Sequence, residues 1–239
     1  MSAYDRIARL YDPWSVSVTE DVGFYVDLAK EAGSVVELGV GTGRIAVPTA
    51  AAGVPVIGVD SSRGMLAVCA EAVAAAGVAE LVDLRLGDLA DPPVTERVPL
   101  VTCPFRAFLH LQTDEERLRA LRAAHRLLVP GGRLAFDVFA PGADDVAETH
   151  GRWLEREPGI FERAEWDTER RRLTLSIRGS EDATTMELAW LSPEEWRALI
   201  EQSGFEVLGH HGWFDRCQHD GHEDMIFLTR ATAVESDAP

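Results

Sequence analysis

The chain has 239 residues, 46% hydrophobic and 26% charged, which is enough for a folded domain with its own core. Forty acidic residues against 23 basic ones give a formal net charge of −17, a field that repels polyanions and argues against a nucleic-acid partner. No apolar run reaches the roughly 18 to 20 residues of a membrane span, and the charged N-terminus lacks the apolar core of a signal peptide. Three widely spaced cysteines without a CxxC pair are typical of free thiols. We therefore expect a cytoplasmic protein with neither a membrane nor a nucleic-acid partner.

The first 140 residues predict a helical segment followed by alternating strands and helices. The pattern of residues 1–30 predicts an amphipathic helical segment that carries several aromatic side chains. Alternation of strands and helices at this spacing predicts a parallel sheet covered on both faces. The predicted strands are residues 35–39, 54–60, 81–88, 98–105 and 133–141, with helices at 44–53, 65–77 and from 114 to a stop at Pro130.

After Pro141 the pattern becomes that of antiparallel strands. Residues 160–167, 171–179 and 184–191 alternate charged and apolar side chains. Ser192, Pro193 and Glu195 then predict the start of a helix, with a capping box and proline at the first helical position. Two further strands, 206–214 and 223–231, precede a polar tail, 232–239.

The predicted fold class is α/β: a Rossmann-like, doubly wound, mostly parallel seven-stranded sheet with its last strand antiparallel, plus a small antiparallel β insertion. We expect one domain over residues 1–231. Its parts are an N-terminal helical lid (1–30), a ligand-binding core (31–140), the β insertion (141–190) and a C-terminal helix with a strand hairpin (191–231). The exposed edges of the inserted strands could equally form the interface of a homodimer.

The strongest motif is the run VVELGVGTGR, Val35 to Arg44. A strand there runs into Gly39, Gly41 and Gly43, and glycines let the backbone turn tightly and approach a ligand. The next strand ends in Asp60, where a carboxylate can accept both hydrogen bonds of a ribose diol. The motif therefore predicts a nucleoside site at the carboxyl ends of the strands.

The glycines alone do not decide which nucleoside binds. The dinucleotide fingerprint GxGxxG/A fails when counted from Gly39, because its third position is Arg44. Counted from Gly41 it reaches Ala46 and fits, which leaves an NAD-dependent oxidoreductase as an alternative. Lys30 is the only lysine in the sequence and lies in the N-terminal segment, so the Tyr–Lys pair common in such oxidoreductases is absent.

The run E-L-G-x-G-T-G-R is followed by G-V-D-x-S at the end of the second strand, G-D at the end of the third, and LLVPGGRLAFDVF at the fifth. Together these motifs resemble those of the class I S-adenosylmethionine-dependent methyltransferases of small molecules. The similarity covers about residues 1–140. The N-terminal YDxxAxLYD and the segment CPFxxFLHL are similar to those of bacterial aminosugar N-methyltransferases.

The resemblance implies that S-adenosylmethionine is the cofactor and assigns it a set of binding residues. Glu37 would support the glycine loop and reach the methionine amino group, directly or through water, while Asp60 would take the ribose hydroxyls. The other implied residues are Gly39, Gly41 and Gly43 at the methionine, Ser61 and Met65 beside the adenine, Asp88 and the Leu89 N–H at its polar edge, Cys103 and Phe105 beneath the sulfonium, and Tyr11 as a lid. Asp88 as a turn cap and Met65 as a packing residue are alternative interpretations.

Methyl transfer requires little more than alignment of the nucleophile with the sulfonium methyl, and a base where the acceptor must lose a proton. His110 is the candidate for that base or for orienting a small amine- or hydroxyl-bearing acceptor, although packing or capping explains a histidine there equally well. Asp137 and Tyr4 are weaker candidates. Trp14, Trp153, Trp166 and Trp190 are candidate walls of an acceptor pocket, or core residues.

Three further interpretations concern a zinc site, a binding protein without turnover and a DNA methyltransferase. The His- and Cys-rich residues 210–222 contain ligand types suited to zinc, but a polar loop between the last two strands is the preferred interpretation, so no metal site is predicted. A protein that binds S-adenosylmethionine or S-adenosylhomocysteine without turnover is an open alternative. A DNA methyltransferase is disfavoured by the charge and by TCPF at the end of the fourth strand, where amino-methylating DNA enzymes have an Asn/Asp-Pro-Pro-aromatic motif.

Overall fold

A computed structural model of the protein describes residues 2–15, 19–180, 182–221 and 223–232. Instead of one helical segment, the described residues of the N-terminal part form three helical pieces. They are a 3-10 turn (Ala3–Arg6), helix α1 (Ala8–Ser15) and helix α2 (Glu20–Ala32). α2 ends at Gly33, whose φ of 82° gives the left-handed cap that glycine favours. Apart from its first residue, the predicted polar tail lies outside the described residues.

The alternating strands and helices follow in the predicted order. They are β1 (Val35–Leu38), α3 (Ala46–Ala51), β2 (Val56–Asp60), α4 (Arg63–Ala75), β3 (Val82–Leu86), β4 (Val98–Cys103), α5 (Asp114–Arg126) and β5 (Leu128–Phe139). Ser62 begins α4 by accepting a hydrogen bond from the Met65 N–H at 3.1 Å, and Thr113 begins α5 through a capping box with Glu116.

One predicted boundary is wrong. α5 ends at Arg126, and β5 begins at Leu128, five residues before the predicted start at Arg133. The register of β5 against β4 shifts between Val98 and Leu100, so residues 129–132 bulge out between the paired ends of the strand. Because Val129 precedes a proline, it disfavours helical backbone, and the helix stops before reaching it.

The second half consists of α6 (Ala143–Thr149), β6 (Trp153–Glu157), β7 (Ile160–Asp167), β8 (Arg172–Arg178), β9 (Ala183–Ala189), α7 (Pro193–Gln202), β10 (Phe205–His211) and β11 (Asp224–Ala231). The capping box of Ser192 and Glu195, with Pro193 in the first turn of α7, is present as predicted. α6 and β6 are additional to the predicted elements.

The strands form two sheets. The larger has the order β10-β11-β5-β4-β1-β2-β3, and β11 alone runs antiparallel to its neighbours β5 and β10. The smaller is the antiparallel sheet β6-β7-β8-β9. The predicted seven-stranded, mostly parallel sheet with a β insertion is therefore confirmed. β1 lies between β2 and β4: the chain goes from β1 through β2 to β3 on one side and returns to β4 on the other, which leaves a crevice at the carboxyl end of β1.

Core side chains alternate between the two faces of the large sheet. Val36 and Val101 pack on the face that holds Trp196 of α7, whereas Val35 and Leu100 pack on the face that holds Leu28 of α2. The inner face of the small sheet joins the first of these clusters through residues such as Leu173, Leu175 and Ile177. This packing places the small sheet beside the crevice at the end of β1. Among the described residues, no helix is long and apolar enough to cross a membrane.

Candidate active site

The glycine loop turns sharply after β1. Gly39 and Gly41 have φ values of 76° and 55°, in the left-handed region that glycine adopts without a steric penalty. A Cβ on Gly41 would meet no atom closer than 4.0 Å, so its backbone faces open space. Gly43 differs, because a Cβ there would lie 2.7 Å from the Cys69 Sγ of α4. Gly41 thus exposes backbone, whereas Gly39 and Gly43 permit close packing, since a Cβ on Gly39 would lie 3.1 Å from the Ala107 Cβ.

Asp60 fixes the loop and the end of β2 together. Its Oδ2 accepts the Gly41 N–H at 2.9 Å and its Oδ1 accepts the Ser62 N–H at 2.8 Å. Burial raises the pKa of Asp60, and the backbone N–H groups oppose that rise. Each carboxylate oxygen keeps a further acceptor position, which suits a diol.

A cavity of about 370 Å³ lies over the carboxyl ends of β1 to β4, and we call it the strand-end cavity. It brings together most of the predicted residues: Tyr11, Gly39, Gly41, Asp60, Ser61, Met65, Asp88, Leu89, Phe105 and His110. Three predicted residues, Glu37, Gly43 and Cys103, do not line it. Asp88 lines it and also caps its own turn, since its Oδ1 accepts the Ala90 N–H at 2.7 Å. Met65 both lines the cavity and is 2% exposed in the packing of α4.

Glu37 lies beneath the glycine loop in the third position of β1 and is only 2% exposed. Burial raises the pKa of its carboxyl group to about 8, although the nearby Arg44 lowers it. Arg44 is held in turn by both oxygens of Asp21, at 2.6 Å each, in an ion pair between the loop and α2. The Glu37 carboxyl group is thus protonated at neutral pH and lies directly under the loop.

Cys103 ends β4 and is fully buried, packed in the core below the cavity. Burial raises the pKa of its thiol well above the ordinary value, as it does for Cys69, whose pKa is about 12. Since the thiolate is the reactive form, neither buried cysteine is a nucleophile.

The N-terminal segment covers the strand-end cavity. Asp5 accepts hydrogen bonds from the Ser62 hydroxyl at 2.7 Å and from the Gly64 N–H at 3.1 Å, at the beginning of α4. A carboxylate is stabilised there by the free N–H groups and dipole of the helix. Tyr4 and Tyr11 pack edge to face, with ring centroids 5.7 Å apart. These hydrogen bonds of Asp5, which we call the latch of the N-terminal lid, therefore hold the two aromatic rings over the cavity.

His110 ends the 3-10 turn Ala107–His110, and its Nε2 lies 2.8 Å from the Tyr4 hydroxyl. It does not cap α5, because Thr113 fills that role. Burial lowers the pKa of His110 to about 4, so the ring is neutral at physiological pH. A neutral imidazole can orient a polar group, but with such a pKa it is a weak general base.

The turn that leads from β4 to His110 is unusual. Phe105 and Arg106 both have left-handed backbone, with φ of 56° and 63°, although neither is glycine. Such conformations cost about 1 kcal/mol or more per residue unless surrounding contacts impose them. Asp137 of β5 supplies these contacts: its Oδ1 accepts the Phe105 N–H at 2.8 Å and its Oδ2 the Arg106 N–H at 2.9 Å. Asp137 is thus a structural partner of this turn.

A second cavity, of about 600 Å³, adjoins the first, and Tyr4, Phe105 and His110 line both. We call it the acidic cavity, because its lining includes seven carboxyl groups and only two guanidinium groups. These are Asp21, Asp137, Asp145, Glu157, Glu162, Glu223 and Asp224, with Arg106 and Arg156. Both arginines are already paired, Arg106 with Asp224 at 2.7 Å and Arg156 with Glu162 at 2.9 Å. Asp21 is paired as well, with Arg44 at 2.6 Å, and the remaining carboxyl groups give the lining a net negative charge.

Two of these carboxyl groups share a hydrogen bond. The bond to Asp145 raises the pKa of Glu223 to about 7, and burial adds to the rise. Asp145 lies in the first turn of α6 and Glu223 directly before β11, so the pair joins two elements at one end of the acidic cavity. Near neutral pH the pair gains its second negative charge as the pH rises.

The four tryptophans considered from sequence have different positions. Trp14 and Trp166 line the acidic cavity, and the Trp14 indole N–H donates to Glu162 at 3.0 Å. Trp190 is 8% exposed and packs edge to face on Trp166, so it supports the wall. Trp153 lies away from the cavity, under the guanidinium of Arg178 at 4.2 Å. Trp213, which the sequence analysis did not single out, also lines the cavity.

The His- and Cys-rich loop holds its rings by stacking. His210 lies between His219 and Phe227, with centroids 4.3 Å and 4.5 Å away. Among the described residues, no group of three or more His, Cys, Asp or Glu side chains is arranged to hold a metal ion. His222 lies outside the described residues.

Comparison with known proteins identifies what the chain resembles. Residues 35–132 match a family described as a methyltransferase domain. Over 227 residues the chain is 27% identical to the cypemycin N-terminal methyltransferase of a Streptomyces species. The aligned region covers 88% of this chain and 90% of the relative.

Solved structures extend the similarity to the whole fold. The CcbJ methyltransferase of Streptomyces caelestis matches with a TM-score of 0.85 and 28% identity, over 98% of this chain and 99% of its own. CalS10 of Micromonospora echinaspora, an amino pentose methyltransferase with bound S-adenosylmethionine, has the same fold at a TM-score of 0.65 and 20% identity, over 97% and 98% of the two chains. The likeness therefore includes the β insertion as well as the large sheet.

Proposed function

Because the chain is an S-adenosylmethionine-dependent methyltransferase, we propose that it methylates an amine nitrogen of a small molecule bound in the acidic cavity. The observation that carries the proposal is the meeting of two cavities at Tyr4, Phe105 and His110, one over the strand ends and one lined by carboxyl groups. A nucleophile in the second cavity reaches a methyl group in the first through this junction.

The residues of the strand-end cavity fit the cofactor. Asp60 keeps acceptor positions for the ribose hydroxyls after binding two backbone N–H groups. The open backbone at Gly41 suits the methionine part, with the buried Glu37 below it. When bound, S-adenosylmethionine supplies an electrophilic methyl group, so the protein needs mainly to align the acceptor and exclude water.

The acidic lining favours a cationic acceptor. A cavity with one sign of charge concentrates ligands of the opposite sign, and an amine enters as its ammonium form. The amine attacks as its neutral form, after losing a proton to water or to a carboxylate. His110 is uncharged at physiological pH, so it does not repel the ammonium, and together with Tyr4 it orients the nitrogen.

The acceptor also has an apolar part. Leu173, Leu175 and Leu188 of the small sheet line the acidic cavity together with Phe139 and Trp166. Burying such surface stabilises a ligand by about 25 cal/mol per Å². We therefore propose an amine on an apolar or aromatic scaffold. The names of two similar proteins agree with a nitrogen acceptor, since one is an N-terminal methyltransferase and another an amino pentose methyltransferase.

The experiment is an acceptor screen scored by S-adenosylhomocysteine release. Each amine, including peptides with a free N-terminus and aminosugars, is paired with its N-acetyl form and with the alcohol that replaces the amine. Turnover confined to free amines supports the proposal. Turnover with the alcohols but not the amines overturns it.

Measurements of cofactor binding, combined with the acceptor screen, test two alternative functions. Tight binding of NAD with no binding of S-adenosylmethionine would indicate an oxidoreductase. Binding of S-adenosylmethionine with no turnover of any compound in the screen would indicate a non-catalytic binding protein. The domain match favours neither alternative.

Several wider expectations complete the proposal. We propose that residues 1–231 act as one catalytic domain, with the lid, core, insertion and C-terminal parts given above. We also propose a cytoplasmic location, no nucleic-acid partner because of the net charge of −17, and a homodimer through the exposed edge of the small sheet. Size-exclusion chromatography with light scattering tests the last of these.

A further inference from the structure

The turn after β4 is held in a backbone conformation that its residues do not favour by themselves. Among the described residues, four that are not glycine have positive φ, and only Phe105 and Arg106 are adjacent. Two successive left-handed residues reverse the chain direction within one turn. Without contacts that impose it, such a turn relaxes toward more populated conformations.

Asp137 imposes this turn from the neighbouring strand. It is 5% exposed and uses one oxygen for each of the two strained N–H groups. The Tyr25 hydroxyl of α2 donates to the same Oδ1 at 2.6 Å, a bond that touches neither turn amide. The contact with the turn is therefore a fork of two charge-assisted bonds.

The turn carries side chains that face both cavities. The Phe105 ring lies 6.0 Å from that of Tyr11 and 4.7 Å from the Arg44 guanidinium. The Arg106 guanidinium lies over the Phe139 ring at 4.6 Å and pairs with Asp224. His110 ends the 3-10 turn that begins directly after Arg106. A shift of this turn would displace Phe105 and His110 at the junction of the cavities, together with Arg106 in the acidic cavity.

We propose that Asp137 is a positioning residue for methyl transfer: through the Phe105 and Arg106 amides it holds the junction of the two cavities in the geometry that aligns the acceptor. The proposal rests on the proposed function for its catalytic readout. Since small misalignments of reacting atoms lower rates steeply, loss of the fork should affect kcat more than cofactor binding.

The principal variant is Asp137→Asn, which keeps the size of the side chain but turns one acceptor into an N–H₂ group facing an N–H donor. With the best amine from the screen, we expect kcat to fall by at least about tenfold, while the Kd for S-adenosylhomocysteine stays within about twofold. The matched control is Tyr25→Phe, which removes the third bond but leaves both turn amides bonded, and its kcat should stay within about threefold of the wild type.

Relief of the backbone strain separates positioning from direct contact. Arg106→Gly makes left-handed backbone easy at that position, so adding Asp137→Asn to this variant should lower kcat by less than about threefold relative to Arg106→Gly alone. A full tenfold loss in that background would mean that Asp137 acts directly on the acceptor, and would overturn the proposal. The same comparison serves if Asp137→Asn alone is too unstable to purify.

Hydrogen exchange gives a readout that needs no acceptor. In Asp137→Asn, amide exchange of the peptide 104–111 should accelerate by about tenfold or more, with little change in Tyr25→Phe. Unchanged exchange, or equal acceleration in both variants, contradicts the proposal. If no amine is methylated but exchange behaves as expected, the assigned acceptor is wrong and the control of the turn by Asp137 stands.

Discussion

The two cavities that meet at Tyr4, Phe105 and His110 are built in different ways. The strand-end cavity lies where adjacent parallel strands end, and a few carboxylates such as Asp60 fix the loops around it. The acidic cavity consists of side chains from the N-terminal helices, β5, α6, the small sheet and the start of β11. Single substitutions should therefore abolish function in the first cavity, whereas in the second they should change affinity by degrees.

The largest effect is expected at the strand-end cavity. Asp60→Ala removes the acceptor of two backbone N–H groups and of the ribose hydroxyls, each bond to a charged group contributing about 1.5–3 kcal/mol. The Kd for S-adenosylmethionine in calorimetry should rise by about 100-fold or more. Asp27→Ala, which removes an exposed carboxylate paired with Lys30 at 3.2 Å, is the control. Wild-type affinity in folded Asp60→Ala would contradict the assigned role.

Glu37→Gln should weaken cofactor binding by about 10- to 100-fold, because the methionine ammonium loses a charged partner worth about 1.5–3 kcal/mol. Glu31→Gln, at an exposed residue of α2 paired with Arg133, serves as the control. Calorimetry in buffers of different ionisation enthalpy should also detect a proton released on binding by the wild type near pH 7. The released proton should be absent in Glu37→Gln.

The same substitution should stabilise the unliganded protein at high pH. The pKa of Glu37 is about 8 in the folded protein against an ordinary value of 4.5. Between these values the folded state binds more protons than the unfolded state, so the free energy of unfolding falls as pH rises. Glu37→Gln removes this dependence, and its Tm should exceed that of the wild type more at pH 9 than at pH 6. Parallel pH profiles of Tm would contradict a buried, proton-holding Glu37.

In the acidic cavity, Glu223→Gln should raise the KM for an amine acceptor by about three- to tenfold, a loss of about 1 kcal/mol. Cofactor affinity should not change. Because the pKa of Glu223 is about 7, the wild-type KM should fall between pH 6 and pH 8 as the pair with Asp145 gains charge. The variant should lack this fall. Glu155→Gln, at an exposed glutamate of β6 outside the cavity lining, is the control, and an equal effect there would indicate only general surface charge.

The smallest effect is expected at the latch of the N-terminal lid. Asp5→Ala removes hydrogen bonds to Ser62 and Gly64, so the lid should open more often and cofactor should dissociate about two- to fivefold faster in stopped flow. Arg9→Ala breaks the exposed ion pair with Glu71 at 2.7 Å, a type that contributes about 0–1 kcal/mol. It should leave the dissociation rate unchanged. Equal rates for Asp5→Ala and Arg9→Ala would show that the lid is not latched at Asp5.

The difference between the cavities also explains what the sequence could predict. Gly39, Gly41, Asp60 and Asp88 follow from strand ends and spacing, which are local features. Glu37 and Cys103, which the resemblance assigns to the methionine end of the cofactor, are buried and do not line the cavity. Their positions depend on how the loop above them folds, which spacing does not encode.

The acidic half depends on contacts between distant segments. Asp137 bonds to residues about thirty positions earlier, so its role could not be distinguished from that of a general base. Trp213 enters the cavity from the loop between β10 and β11, where the adjacent Phe214 packs 5.8 Å from Phe24 of α2. α6 contains no buried residue and β6 is largely exposed. Neither element therefore has the hydrophobic periodicity from which it could be predicted.

The most direct measurement uses S-adenosylmethionine with a deuterated methyl group and the best amine of the acceptor screen. Mass spectrometry with fragmentation locates the transferred methyl. We predict a mass gain of one deuterated methyl on the amine nitrogen, with one S-adenosylhomocysteine formed per transfer and no product from the N-acetyl analogue. Label on an oxygen or carbon atom of the acceptor would contradict amine methylation in the acidic cavity.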